Sequence, residues 1–201
     1  MKKINILFIH KCSEYAAIAH KEQFRKDKET PYITHPARVA FMCTYSKFLS
    51  TELVCAAWLH DVLEDCSKST STQINSIFNH SVSFGDFLLD ELGYSPMLKI
   101  SQIVSEVSDL LSKDIDKKQR RIAMYKTLSQ TSYPESRTLK FLDRVDNLQT
   151  INCFTEKGRS FYISDTHNMI KTFGEQVKLE DRPVYNMLLT ELNKQELMKG
   201  Y

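Results

Sequence analysis

From Leu53 to Leu59 the chain reads Leu-Val-Cys-Ala-Ala-Trp-Leu, which is nearly apolar all the way round a helical turn. A helix with no polar face belongs in the centre of a domain, so other helices must cover it on every side. Ser50-Thr51 ahead of Glu52 supplies a polar start. At its far end the same segment runs into His60, Asp61, Glu64 and Asp65. A hydrophobic rod thus delivers four titratable groups to one place. Burying them unpaired would be expensive, and a metal ion is the obvious missing partner. The adjacent pair His60-Asp61 sharpens the point. Neighbouring helix residues diverge by about 100°, so both reach one ion only if the helix meets it end-on or obliquely.

The rest of the sequence agrees with an all-α, single-domain bundle of about 8–10 helices. Glycine and proline number five each, and most apolar spacings follow three and four rather than two. The pattern predicts a first helix over 6–21, a charged loop to Thr30, and a second helix from Pro36 to about Leu49 with His35 at its cap. Shorter helices are expected over 72–78 and 84–92, and longer ones over 96–111 and 120–129. Pro134 opens the helix that carries Asp143, and closing helices cover 161–173 and 182–198. On the Asp143 helix, Phe141, Val145 and Leu148 form an apolar stripe. Lys140, Asp143, Arg144 and Asn147 form a polar one, which taken alone reads as a face turned to water.

At 201 residues one domain with a substantial core is expected, spanning 1–201. Twenty-seven basic against 25 acidic residues leave a net charge of +2, so nothing points to nucleic acid or an anionic membrane as partner. Five cysteines without a Cys-x-x-Cys spacing read as reduced core thiols in a cytoplasmic protein. The N-terminus has the basic start of a signal peptide but no small-residue cleavage site. No run reaches the roughly 18 apolar residues of a membrane span.

Two imidazoles and two carboxylates, His35, His60, Asp61 and Asp143, form a mixed nitrogen and oxygen set that suits one divalent ion, Mn²⁺, Fe²⁺ or Zn²⁺. The absence of a thiolate cluster argues against structural zinc. A metal-dependent hydrolase is the expectation.

The segments carrying these residues are Arg25-Lys26-Asp27, Thr30-Pro-Tyr-Ile-Thr-His-Pro-Ala-Arg-Val-Ala40, Ala56-Ala-Trp-Leu-His-Asp-Val-Leu-Glu-Asp65, Glu106-Val-Ser-Asp109 and Leu139-Lys-Phe-Leu-Asp-Arg-Val-Asp-Asn-Leu-Gln-Thr150. In this order they resemble the HD superfamily of metal-dependent phosphohydrolases. More narrowly they resemble the alarmone hydrolase domain of the RelA/SpoT family and its free-standing Mesh1-like members, over roughly 8–155, with closing helices over about 158–198. The resemblance implies that His35, His60, Asp61 and Asp143 bind one metal ion, usually Mn²⁺. It implies that Glu64 and Asp65 form the catalytic pair, Glu64 moving the proton and Asp65 orienting it. Arg25 and Lys26 would contact the guanine ring and phosphates, and Arg144, Asn147 and Thr150 the sugar and phosphate. The implied activity is removal of the 3′-pyrophosphate of (p)ppGpp to give GTP or GDP and pyrophosphate. Because the chain ends at Tyr201, a following synthetase domain is not expected, whereas a homo-oligomer is compatible with the sequence. Two other readings stay open: an HD phosphatase for another phosphorylated nucleotide or dinucleotide cofactor, and a non-catalytic nucleotide sensor.

Overall fold

The computed structural model describes residues 4–66, 94–109 and 114–198, and the helices expected over 72–78 and 84–92 lie outside them. Within the described residues the regular elements are α-helices joined by short 3₁₀ turns, and the one extended pairing is an isolated bridge between Phe24 and Pro31. The helices are α1 (Ile6–Ala19), α2 (Thr34–Met42), α3 (Thr51–Leu59), the single turn α4 (Val62–Asp65), α5 (Tyr94–Val107), α6 (Lys117–Gln130), α7 (Pro134–Gln149), α8 (Glu156–Phe173) and α9 (Arg182–Met198). Among the described residues, no helix is long and apolar enough to cross a membrane.

Local chemistry explains the starts. Asn5, Ser50, Asp116 and Thr155 each accept a backbone N–H of the following first turn, at 3.0–3.3 Å, satisfying donors that no helical carbonyl can reach. Pro134 sits in the first turn of α7, as expected. The second helix departs from expectation. It begins at Thr34 and gives way at Met42 to the 3₁₀ turn Cys43–Tyr45, so His35 lies inside its first turn rather than at the cap. Pro36 is tolerated as the third helical residue because amides there have no partner within the helix anyway.

The centre of the molecule is α3, with Leu53, Cys55, Ala56, Ala57 and Leu59 all fully buried. It packs against α1, α2, α5 and α7, as an apolar rod must. Helix α7 is the other axis, resting on α9, α2 and α5, and every residue from Glu135 to Leu148 is buried. Its apolar stripe enters the core, where the Phe141 ring meets Phe173 at 4.9 Å and Tyr185 at 5.4 Å. Helices α6 and α8 pack together as an outer layer beside α7.

The rod does not continue through His60 to Asp65 as one helix. It stops at Leu59, turns at His60-Asp61, and resumes as α4. The His60 imidazole donates through Nδ1 to Ala57 O at 2.8 Å, the carbonyl an unbroken helix would offer to the amide of Asp61. Ser108 Oγ reaches the His60 carbonyl at 3.3 Å. The break resolves the geometric conflict in His60-Asp61, because the two side chains leave from a turn instead of from diverging helical positions.

One buried ion pair ties α9 to α7. Arg137 Nε donates to Asp181 Oδ2 at 3.1 Å, with both side chains almost wholly inaccessible. Removing one partner strands the other charge in the interior. Asp181→Ala is therefore expected to cost about 3–5 kcal/mol, read as a lowered denaturant midpoint with an unchanged slope.

Candidate active site

The α1–α2 loop is organised by Asp27, whose carboxylate accepts the amides of Glu29 and Thr30 at 3.0 and 2.9 Å and the Thr30 hydroxyl at 2.7 Å. These bonds, the Glu29 amide first, hold its pKa well below the usual carboxylate range. The loop turns Arg25 inward. Its guanidinium donates to Asn147 Oδ1 and Thr150 Oγ1, both at 3.0 Å, and lies 5.6 Å from the centre of the Tyr32 ring. Arg25, Asn147 and Thr150, expected from sequence to share a role, are thus joined directly. Lys26 is exposed on the rim of the same cleft.

Beyond the loop, four donor atoms converge. His35 Nε2 lies 3.2 Å from His60 Nε2, 3.3 Å from Asp143 Oδ1 and 3.4 Å from Asp61 Oδ2. His60 Nε2 is 3.3 Å from Asp61 Oδ2 and 3.9 Å from Asp143 Oδ1. Ligands held about 2.0–2.2 Å from one ion would sit at such separations from one another. The proton inventory makes the same point. His35 Nδ1 faces the carboxylate of Asp146 at 2.6 Å and His60 Nδ1 faces the Ala57 carbonyl at 2.8 Å. Both Nδ1 atoms face acceptors and so carry the hydrogen. In neutral imidazoles both Nε2 atoms then present lone pairs, to each other and to two carboxylates. Burial opposes charge on His35, but hydrogen bonds to Asp143, Asp146 and Asp61 raise its pKa well above the ordinary imidazole value. The cluster thus demands positive charge at this point, which a proton supplies in the free protein and a metal ion would supply when bound. His35, His60 and Asp143 form a group able to hold a metal ion, and Asp61 Oδ2 lies within 3.4 Å of both imidazole Nε2 atoms.

The carboxylates are held ionised. Burial works against charge on Asp143, but Lys140 and the two imidazoles outweigh it and leave its pKa well below the usual range. Lys140 Nζ lies 3.0 Å from Asp143 Oδ2, and Asn147 Nδ2 donates to Asp143 Oδ1 at 2.6 Å. Asp61 is likewise depressed, burial being overcome by His60 and His35. Glu64 and Asp65 behave oppositely. Both open onto the cleft, yet the protein packed around them, together with neighbouring carboxylates, raises their pKa. The amide of Asp109 pins Glu64 Oε2 at 3.0 Å. The Tyr32 hydroxyl contacts Asp61 Oδ2 at 2.7 Å and Asp65 Oδ2 at 2.8 Å, so one hydroxyl ties Asp65 to the His60-Asp61 turn.

The polar stripe of α7 does not face water. Lys140, Asp143, Arg144 and Asn147 are all under a tenth exposed, because α5, α6 and α8 supply counter-charges and carbonyls along that side. Arg144 is anchored more deeply than a simple ligand contact requires. Its Nη2 donates to Asp165 Oδ2 and to the Tyr125 hydroxyl, each at 2.7 Å, and its guanidinium stacks 5.0 Å above the Tyr162 ring. Arg121 shares the same Asp165 oxygen at 3.0 Å.

The cleft over the cluster is therefore strongly charged. Among the described residues six cations line it, Arg25, Lys26, Lys117, Arg121, Lys140 and Arg144, against four acids, Asp61, Glu64, Asp65 and Asp143. A divalent ion among the acids would offset their charge and leave the cleft net positive toward a polyanion, although Arg121 and Arg144 stay paired with Asp165. Sequence reasoning missed Tyr32, Lys117, Arg121, Lys140 as a wall residue, Asp146 and Asp165. Basic residues at i and i+4 were the only hint at Lys117 and Arg121, and Asp146 stood unremarked within the Asp143 motif.

A buried His-Asp metal pocket between helices of an all-α bundle is the hallmark of one class, and the chain belongs to it: the HD domain family matches residues 12–163. Within that class it is similar to the guanosine-3′,5′-bis(diphosphate) 3′-pyrophosphohydrolase MESH1. It is 31% identical to the Homo sapiens protein over 150 residues, 74% of this chain and 72% of that one. It is 28% identical to the Drosophila melanogaster protein over 149 residues, covering 73% and 71%. A solved structure from work on a metazoan ortholog of SpoT, described as hydrolysing ppGpp with a role in starvation responses, superposes over 98% of both chains with a TM-score of 0.69 at 22% identity. At that identity the likeness establishes the fold.

The anchoring of Arg144 gives a test of its part in the site. If the residue only touched ligand, its loss would leave the free protein as stable as before. Because it is half of a buried ion pair, Arg144→Ala is expected to destabilise the ligand-free chain by about 3 kcal/mol or more, measured by denaturant unfolding.

Proposed function

We propose that this chain hydrolyses the 3′-pyrophosphate of guanosine tetra- or pentaphosphate, (p)ppGpp, releasing pyrophosphate and leaving GDP or GTP. The observation that carries the reading is the convergence of His35 Nε2, His60 Nε2, Asp61 Oδ2 and Asp143 Oδ1 beneath a cation-lined cleft. The MESH1 relatives, named for this reaction, supply the substrate. Mn²⁺ is the proposed ion, with Fe²⁺ and Zn²⁺ also suited to imidazole and carboxylate. When bound it supplies Lewis acidity, making water a nucleophile near neutral pH and neutralising charge on the phosphoryl oxygens.

The chain's own residues do the rest. Glu64, fixed by the Asp109 amide and biased toward protonation by its surroundings, takes the proton of the attacking water. Asp65, held by Tyr32, orients it. Attack occurs at the phosphorus attached to the ribose 3′ oxygen. That P–O bond breaks, the 3′ oxygen takes up a proton, and pyrophosphate departs. Lys140, buried beside Asp143, is placed to offset charge developing on the phosphoryl group. Arg25 and Lys26 are proposed to meet the guanine and its phosphates, with Asn147 and Thr150 setting the Arg25 guanidinium and Arg144 building the far wall.

Chromatography of the products after incubation with ppGpp and Mn²⁺ tests the reaction. Release of GDP and pyrophosphate is expected. Turnover of another phosphorylated nucleotide, with ppGpp left intact, would transfer the assignment to a different substrate of the HD class. Chelation is expected to abolish turnover and lower the melting temperature together, since an ion bound only by the folded state stabilises it. Glu64→Gln should reduce kcat by about 10²-fold or more while metal content stays near that of the wild type. Loss of the metal in that variant would make Glu64 a ligand instead.

A further inference from the structure

Asp146 is completely inaccessible to solvent, yet it lies one turn beyond Asp143 on α7 and faces three basic side chains from the α1–α2 region. Its Oδ2 is 2.6 Å from His35 Nδ1. Arg38 grips it with a fork, Nε to Oδ1 at 2.5 Å and Nη2 to Oδ2 at 3.1 Å. The Arg25 guanidinium stands 3.9 Å away. Helix α7 therefore holds both nitrogens of one imidazole: Asp143 faces Nε2 and, three residues on, Asp146 faces Nδ1. Helix α2 answers with the same spacing, since His35 and Arg38 are also three residues apart and both reach Asp146.

We propose that Asp146 is a positioning residue that makes His35 a metal ligand. The inference rests on reading the cluster as a divalent-metal site. A carboxylate on Nδ1 keeps the hydrogen on that nitrogen, fixes the lone pair on Nε2, and stops the ring from rotating away from His60 and Asp61. It also makes Nε2 a stronger electron donor, as a carboxylate behind a ligating histidine does in other metal sites. Arg38 and Arg25 supply the counter-charge that lets a carboxylate stay buried there. His60 differs, because its Nδ1 is held by the neutral carbonyl of Ala57. The two imidazoles are thus unequal, and the charged support belongs to His35 alone. Through Arg25, which also bonds Asn147 and Thr150, the same carboxylate links the metal pocket to the loop that meets the nucleotide.

The first test needs no substitution. Nitrogen NMR of the full-length chain loaded with diamagnetic Zn²⁺ should show His35 with its hydrogen on Nδ1 and its Nε2 bound to the ion. A His35 hydrogen on Nε2 overturns the proposal. The second is calorimetric titration of the metal-free chain with Mn²⁺ in the absence of nucleotide. Asp146→Asn keeps the shape but removes the charge, and is expected to weaken Mn²⁺ about 10- to 100-fold. Arg38→Met, which leaves the His35 contact in place, should weaken it far less. Wild-type affinity in folded Asp146→Asn overturns the proposal, as does an equal loss in Arg38→Met, which would indicate general disturbance of the pocket. If Asp146→Asn does not fold, the tautomer measurement decides alone. If the wild type binds neither Mn²⁺ nor Zn²⁺, the proposal falls together with the metal reading. A chain that shows the predicted metal affinities but leaves ppGpp intact refutes the proposed substrate and leaves the role of Asp146 standing.

Discussion

The structure turns on an electrostatic deficit. Two imidazole nitrogens lie 3.2 Å apart, and each is within 3.9 Å of an oxygen of Asp61 and of Asp143, in the interior of a helical bundle, with the Nδ1 atoms of both rings engaged on the far side. With both imidazoles neutral such a group holds acceptors and no donors, and the carboxylates raise the His35 pKa well above its ordinary value, so the pocket demands a positive charge that a proton or a metal ion can supply. Much of what surrounds it is understandable as the means of holding these like groups together: the break after Leu59, the buried cation Lys140, the amide of Asn147 and the carboxylate of Asp146.

Helix α7 carries most of that burden. Its apolar stripe is core and its polar stripe lines the cleft, so the helix has no solvent face from Glu135 to Leu148. Apart from the buried Ser136 and Thr138 hydroxyls, which have no hydrogen-bond partner among the described residues, its polar side chains need partners inside. They find them on different elements: Lys99 and the Val107 carbonyl from α5, Arg38 and His35 from α2, and Tyr125 and Asp165 from α6 and α8. Apart from Lys99, which pairs with Glu135 at the start of the helix, each partner fixes a side chain that lines the cleft or contacts the His-Asp cluster. A site whose walls are ion-paired in this way is preorganised for charge without waiting for ligand to order it.

The residues that converge in the cluster were legible in the chain. Histidine and aspartate carry their coordinating atoms by residue type, and each stands in a short motif whose local order is visible: His35 before Pro36, His60-Asp61 at the end of an apolar rod, Asp143 on a helix opened by Pro134. Glu64 and Asp65 were legible for the same reason, being a turn away from the pair. The second tier was not. Asp146 meets His35 across 111 residues and Arg144 meets Asp165 across 21, and nothing local distinguishes a carboxylate with such a partner from one in water. The polar stripe of α7 was misread for this reason, because periodicity reports which residues share a face but not what that face meets.

By itself, then, the sequence determined the helical class, the central place of the Leu53–Leu59 rod, and the identity of the groups that could coordinate an ion. These follow from side-chain chemistry and from spacing along one element. Tertiary structure decided where the rod breaks, which nitrogen of each histidine faces the site, and which cations stand around it. It also decided that Arg144 is tied into the wall and that Asp146 stands behind His35. Those outcomes depend on which distant segments approach one another and on where buried hydrogens can be placed, and both are properties of the packed bundle rather than of any stretch of chain.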